Sequence, residues 1–465
     1  MFRRRQLFAL AGLSLLVVQI AGVLGEEPLE AGRASGPWPE TPAAERSSLR
    51  ERAPAADAPE VLPNESSAHL STLGREPDWT ELEKYQSTIT HDEFAQLLKQ
   101  VYATRGWNPD LIKIEPDVAR ILTAAGTQNY FVLRFAKNDA RQPIVRWWVA
   151  PDALPNDKKP TAPLAGFHIA LDPGHLGGEW ARMEERWFRI NDARPVREGD
   201  MTLRVARLLA SRLRSLGAKV SLVRAKAEPV TPYRPADFEK IARQLLLRAG
   251  VEDPRENFDG PTDPAKEETI GWQRELLFYR TSEIRHRASL VNDRLQPDLV
   301  LCLHFNAEPW GDPNHPTLVP DDHLHLLVNG SYLLPELELD DVRFGMLNKL
   351  LSRSFPEELA LAETIAGAMA KATGLPPYKY DTENVTPVGA SGYVYARNLM
   401  ATRLYRCPTV YLEPYVMNSV EVFARVQAGD YRGKREIGGK ERDSIYREYA
   451  GSVVEGVLAY FRKTQ

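Results

Sequence analysis

From about residue 164 the apolar positions fall into short unbroken runs, and these alternate with stretches of helical period. Phe167-His168-Ile169-Ala170-Leu171 is one such run, and it ends in Asp172-Pro173-Gly174. Leu203, Ala206, Leu209, Leu213 and Leu216 then repeat every three or four positions and stop at Gly217, which predicts an amphipathic helix with a glycine close. Lys219-Val220-Ser221-Leu222-Val223 reads as a second strand, residues 284–295 as a helix, and residues 298–303 as a third strand. His323-Leu324-His325-Leu326-Leu327-Val328 reads as a fourth strand and is followed by a helix over about 357–372. Thr409-Val410-Tyr411-Leu412 is a late strand, and residues 443–461 form a closing helix. Alternation of this kind predicts an α/β fold, with a mixed, mostly parallel sheet and helices on both faces.

A small α+β unit is expected ahead of it, over 78–150. Thr90 caps a helix through Asp92-Glu93-Phe94, with Phe94, Leu97, Leu98 and Val101 on one face. Residues 130–135 and 144–149 read as strands, and Pro151, Pro155, Pro160 and Pro163 mark a linker before a larger domain over 160–465. At the start of the chain Arg3-Arg4-Arg5 precede an apolar run over 7–24, then Gly25 and Glu26-Glu27. That order describes a secretory signal over 1–25, and Arg4-Arg5-Gln6-Leu7-Phe8 is faintly similar to a twin-arginine signal. The chain is then expected outside the cytoplasm, meeting the membrane only through this segment should it stay uncleaved. Residues 26–77 are rich in Pro, Ala, Glu and Ser and read as a disordered tether. A formal net charge of −4 gives no basic field for nucleic acid. Two cysteines, Cys302 and Cys407, are too few for a disulfide framework, although a single bridge stays open.

Candidate chemistry collects at strand ends. The first strand ends in Asp172-Pro173-Gly174-His175, the third in His304-Phe305-Asn306-Ala307, and the late one in Glu413-Pro414-Tyr415. Glu198 opens the helix after the first strand. Ligands of open α/β sheets bind beyond the carboxyl ends of the strands, so the fold could gather all four residues at one edge. Two imidazoles and a carboxylate make a zinc site with an open position, and a further carboxylate beside it would handle the proton. Read from the residues alone, this is a zinc hydrolase. No His-Glu-x-x-His helix is present.

Taken in order, Asp172-Pro173-Gly174-His175, Glu198-Gly199-Asp200-Met201-Thr202-Leu203, Val223-Arg224, Arg287-Ala288-Ser289-Leu290-Val291-Asn292, Cys302-Leu303-His304-Phe305-Asn306-Ala307 and Glu413-Pro414-Tyr415-Val416-Met417-Asn418-Ser419 resemble the motifs of the zinc-dependent N-acetylmuramoyl-L-alanine amidases of the amidase-3 family. The resemblance covers about 165–463. It implies an amidase-3-like fold and one zinc ion per chain, with His175, Glu198 and His304 as ligands and Glu413 as general base. It also implies hydrolysis of the bond between N-acetylmuramic acid and L-alanine in peptidoglycan. The chain departs from the family at Leu176, in the long stretch from His175 to Glu198, and at Pro414-Tyr415. Glu184 or Glu185 could therefore replace Glu198, although neither opens the helix. Arg287 and Asn292 read as packing and hydrogen-bonding residues, and Asn306 either orients His304 or touches substrate.

His323 and His325 alternate on a strand but lack a third ligand nearby, which points to a structural or exposed role; His168 reads as structural. Two insertions, about 226–281 and 329–356, are large for the family. Some of its members carry an occluding helix that a partner protein moves. Segment 332–356 is expected to act in that way, with Phe344, Leu347 and Leu351 packed across the cleft and one carboxylate among Glu336 to Asp341 reaching the open metal position. Two alternatives remain: an inactive relative that binds peptidoglycan and regulates other wall enzymes, and a hydrolase of the same fold acting on another wall amide.

Overall fold

A computed structural model describes residues 69–137, 140–154 and 159–464. The signal segment and the tether up to residue 68 lie outside the described residues. Among the described residues no helix is long and apolar enough to cross a membrane.

The N-terminal unit begins with a 3-10 turn over Trp79–Tyr85 and helix α1 (His91–Leu97). Thr90 and Glu93 form a reciprocal capping box at the start of α1. Strands β1 (Ile112–Ile114), β2 (Val118–Leu122) and β3 (Tyr130–Arg134) make an antiparallel sheet. Residues 144–149 do not form the expected strand. That stretch is anchored by its tryptophans: Trp148 is buried, with Arg146 over its ring, and Trp147 Nε1 donates to the carbonyl of Pro297. An apolar run records burial, and here burial comes without a neighbouring strand.

The larger part is built on a seven-stranded sheet in the order β10-β11-β9-β12-β8-β4-β7. Its strands are β4 (His168–Pro173), β7 (Lys219–Leu222), β8 (Leu299–Leu303), β9 (Leu324–Val328), β10 (Val385–Pro387), β11 (Val394–Arg397) and β12 (Thr409–Pro414). A two-stranded hairpin, β5 (Trp187–Phe188) with β6 (Val196–Arg197), stands apart. β7, β4, β8 and β12 run parallel; β9 pairs antiparallel with β12 and parallel with β11, and β10 is antiparallel to β11. The sheet is mixed and mostly parallel, as the alternation predicts.

Successive side chains of a strand point to opposite faces. Ile169, Leu171, Leu299, Leu301, Val410 and Leu412 enter one core, and Ala170, Val300, Cys302 and Tyr411 enter the other. Both faces are therefore covered, which is why the strands read as continuous apolar runs. Helices α2 (Glu198–Ser215), α8 (Ser354–Thr373) and α11 (Ile445–Thr464) pack with the first core. Helix α5 (Glu283–Ser289) and the short α9 (Met400–Leu404) cover the other face. α10 (Val420–Ala428) lies between β12 and α11 in the chain. Cys302 and Cys407 are both free thiols.

The insertion over 226–281 carries α3 (Glu239–Arg248) and α4 (Ile270–Leu276) around its own apolar cluster of Phe238, Ile241, Leu246 and Phe278, and that cluster takes in Leu176. The second insertion carries α6 (Leu334–Leu337) and α7 (Asp340–Leu351). It does not take the place expected of a lid. Phe344 packs edge-on against Trp79, and Leu347 and Leu351 are fully buried. Asp341 accepts from the backbone N and hydroxyl of Ser71, Asp340 pairs with Arg343, Glu336 accepts from Leu333 N, and Glu338 is exposed. Arg343 also donates to the carbonyl of Leu122. The segment clamps the N-terminal unit to the seven-stranded sheet, with Asp341 bonded to Ser71 and Asp340 accepting from Ala125 N and pairing with Arg343.

Candidate active site

The rungs at the ends of three adjacent strands set the site. Gly174 N donates to the carbonyl of Leu303 at 2.9 Å, and His304 N to that of Leu412 at 3.0 Å. The chain leaving β4 turns at His175, whose φ is +58°. Two buried arginines hold this turn by its carbonyls. Arg287 donates to Pro173 O at 2.9 Å and His175 O at 3.1 Å, while Arg224 donates to Gly174 O at 3.2 Å and Gly199 O at 2.9 Å. Arg287 is itself fixed by Asp172 at 2.9 Å and Glu283 at 2.8 Å. Tyr405 donates to the second oxygen of Asp172. The start of α2 comes so close to the turn that a side chain at Gly199 would lie 2.2 Å from Gly177 N. Gly199 brings Glu198 within reach of both histidines.

His175, Glu198 and His304 place one potential ligand atom each within 4.8 Å of one another. His175 Nε2 lies 3.2 Å from one oxygen of Glu198, and His304 Nδ1 lies 3.1 Å from the other, which also accepts from Phe305 N. Glu198 is 2% exposed. Burial would raise its carboxyl, but His175, His304 and Arg186 beside it hold it below its ordinary range. Glu184 sits behind His175, 3.7 Å from Nδ1, and accepts from Leu176 N and Gly177 N. Glu185 is paired with Lys266 at 2.6 Å. Neither alternative carboxylate joins the group; Glu184 has the place of the outer carboxylate that commonly orients a metal-binding imidazole.

Glu413 and His175, Glu198, Asn306, His325, Tyr378, Tyr380, Arg397 and Tyr411 line one cleft of about 260 Å³. The register of β12 against β9 sets Glu413 opposite His325. Tyr411, two residues earlier on the same strand face, stacks on His304 at 4.1 Å between ring centroids. The loops on either side of the cleft are laced together: Asn306 N donates to Tyr415 O, Met417 N to Asn306 O, and Asn418 makes two hydrogen bonds with the backbone of Glu308. None of the described residues of segment 332–356 lines this cleft.

His323 and His325 are buried. His323 bonds Glu308 at 2.9 Å, whereas His325 lies on the cleft wall with its Nε2 bonded to the Tyr380 hydroxyl at 2.8 Å. Burial pushes the His325 imidazole well below its ordinary range, so the ring is neutral. His168 bonds Ser221 at 2.9 Å, and burial lowers it to about 4. Asn292 bonds Leu404 O and Arg406 N, a packing role of the kind expected. Sequence reasoning missed Arg186, Tyr378, Tyr380 and Arg397. The spacing of Tyr378 with Tyr380, and of Tyr395 with Arg397, is an i, i+2 signal that could have found an extended wall.

No family model matches the chain, and no curated relative matches it. Among solved structures it is similar to the N-acetylmuramyl-L-alanine amidase Ami1 from Mycobacterium smegmatis, at 14% identity and a TM-score of 0.35, over 64% of this chain and 99% of that one. It is also similar to the N-acetylmuramoyl-L-alanine amidase AmiC2 of Nostoc punctiforme, at 14% identity and a TM-score of 0.33, with 64% and 99% covered. A third similar structure is the CwlD amidase from Clostridioides difficile in complex with the GerS lipoprotein, at 14% identity and a TM-score of 0.34, with 64% and 100% covered.

Proposed function

We propose that the chain is a zinc-dependent N-acetylmuramoyl-L-alanine amidase that acts on peptidoglycan outside the cytoplasm. The observation that carries this reading is a single cleft in which Glu413 joins His175 and Glu198, with His304 bonded to Glu198 behind them. The ordered motifs from Asp172 to Ser419 supply the substrate class by resemblance. Two imidazoles and one carboxylate, converging, with Glu198 and His304 buried and His175 partly exposed, suit zinc with a position left open, and Glu184 behind His175 adds an outer carboxylate.

Zinc held by His175, Glu198 and His304 would acidify a water and polarise the amide carbonyl. Glu413, in the same cleft, would take a proton from the attacking water as the water oxygen bonds to the carbonyl carbon. It then passes the proton to the nitrogen as the carbon–nitrogen bond breaks. The products are a muramic acid carboxylate and a free amino group on L-alanine. Asn306, Tyr378, Tyr380 and Arg397 offer the polar groups that orient glycan and peptide in the cleft.

The test is zinc content together with the clearing of purified sacculi, for the wild type and His175→Ala. One zinc per wild-type chain, and loss of both zinc and clearing in the variant, are expected. Wild-type protein that takes up no zinc would overturn the reading. Zinc-loaded protein that binds sacculi without cutting them would point to a non-catalytic wall-binding protein.

A further inference from the structure

Arg186 lies in the long stretch between His175 and Glu198, immediately before β5. Its carbonyl accepts from Glu198 N at 3.2 Å, so the two backbones touch. The stretch is tied down on every side. Glu184 caps Leu176 N and Gly177 N, Glu185 pairs with Lys266, β5 pairs with β6, and Phe188 packs on Trp310 and Phe423. From this held backbone the side chain turns inward. Its Nε is 3.3 Å from His175 Nε2 and 3.3 Å from a Glu198 oxygen, and the residue lines the cleft together with Glu413.

A guanidinium stays charged at any working pH. A permanent cation thus stands against two of the three groups that would hold a metal dication. His175 Nε2 has one lone pair, which cannot accept from Arg186 and bind a metal together. Like charges a few ångströms apart repel strongly even near a protein surface. The arrangement therefore works against metal affinity, and a residue that weakens the centre must serve a later step to be useful there. The cleft supplies one: the carbonyl oxygen of a scissile amide gains negative charge as water adds, and a fixed N–H donor aimed at such an oxygen is among the largest contributions a hydrolase can make.

We infer that Arg186 is a catalytic residue of this cleft that competes with the metal ion for His175 and Glu198 and binds the scissile carbonyl oxygen as its charge develops. The inference rests on the amidase reading. Arg186 donates hydrogen bonds only; the proton still travels from water to the leaving nitrogen through Glu413.

The test compares wild type, Arg186→Met, Arg186→Gln and Arg186→Lys. Zinc affinity is read by competition of the metal-stripped proteins with a chromophoric chelator. Hydrolysis is read as kcat and KM on a soluble muropeptide, and folding by circular dichroism. Removal of the charge should tighten zinc binding roughly tenfold or more. It should also lower kcat on the order of 10²-fold or more, with KM within a few-fold. Arg186→Lys keeps the charge, so its zinc affinity should stay near wild type while kcat recovers only in part. A merely structural arginine would lose metal and activity together. Unchanged or weaker zinc binding in folded Met or Gln variants overturns the inference, and so does a kcat within threefold of wild type. Should Met fail to fold, Gln carries the comparison, and should both fail, Lys with wild-type kcat overturns it. If the wild type takes up zinc yet leaves the muropeptide intact, the amidase reading falls instead, and the zinc comparison still tests the competition.

Discussion

Gly174 is where the structure makes its sharpest demand on the sequence. A methyl added there would lie 2.1 Å from Cε1, 2.3 Å from Nε2 and 2.5 Å from Nδ1 of His304. Carbon atoms in contact sit at about 3.5–4.0 Å, so the ring would have to retreat by more than about 1 Å. Tyr411 is stacked on that ring at 4.1 Å and is itself buried in β12, which resists the retreat. The imidazole must tilt away from Glu198 or carry the β12 strand with it. Gly174→Ala should therefore weaken zinc binding on the order of 10²-fold, since the loss of merely an outer partner costs about 10–100-fold. Overpacking of this kind also costs about 1–3 kcal/mol, seen as a melting temperature lower by a few degrees. Gly367→Ala is the control: it sits exposed on α8, and its added methyl would meet nothing within 4 Å. Zinc affinity is measured for both by chelator competition. Gly174→Ala with wild-type affinity would refute the claim that His304 is held in a metal-binding pose by the space Gly174 leaves.

Three further outcomes follow from the same geometry. Glu413→Gln keeps a similar shape but cannot take a proton, so zinc content should be unchanged and kcat lower on the order of 10²-fold or more; near-normal turnover would remove Glu413 from the reaction. Arg287→Met strands Asp172 and Glu283 in the interior and should cost about 3–5 kcal/mol in denaturant unfolding, whereas a surface-like loss below about 1 kcal/mol would contradict the network described. Asp322 accepts from Val416 N and His323 N, and burial pushes its carboxyl up from 3.8 to about 7. The fold then holds a proton that the unfolded chain has released, so this group's contribution falls as pH rises from about 4 to 7. Asp322→Asn should gain in melting temperature relative to wild type across that window and level off above it; a difference independent of pH would refute the shift.

The strands were legible because both faces of the sheet are covered, which turns β4, β8 and β12 into unbroken apolar runs with polar residues marking their ends. His175, His304 and Glu413 stand at those ends, and Glu198 stands at the first turn of α2, so the candidate group could be read from position alone. Arg186 could not, since its stretch has no period and pairs only as a two-residue hairpin. β11 is four residues long, and its Arg397 reaches the cleft only because β11 pairs with β9, a long-range contact that periodicity does not report. The helical spacing of Phe344, Leu347 and Leu351 marks a helix, but α7 has no single apolar face: Arg343, Met346, Asn348 and Lys349 are buried as well. Spacing does not say against what a helix is buried, and here the partner is Trp79 and the core rather than the cleft.

Cleavage between muramic acid and L-alanine shows itself in the chemical ends that zinc-loaded protein makes in purified sacculi. The soluble products are labelled at free amino groups, hydrolysed and identified, and new reducing sugar ends are counted in parallel. Amidase activity predicts that labelled L-alanine appears with time while reducing ends do not, and that Glu413→Gln abolishes the label. Labelled ends on any other residue, new reducing ends, or no new ends from a folded, zinc-loaded wild type would contradict it.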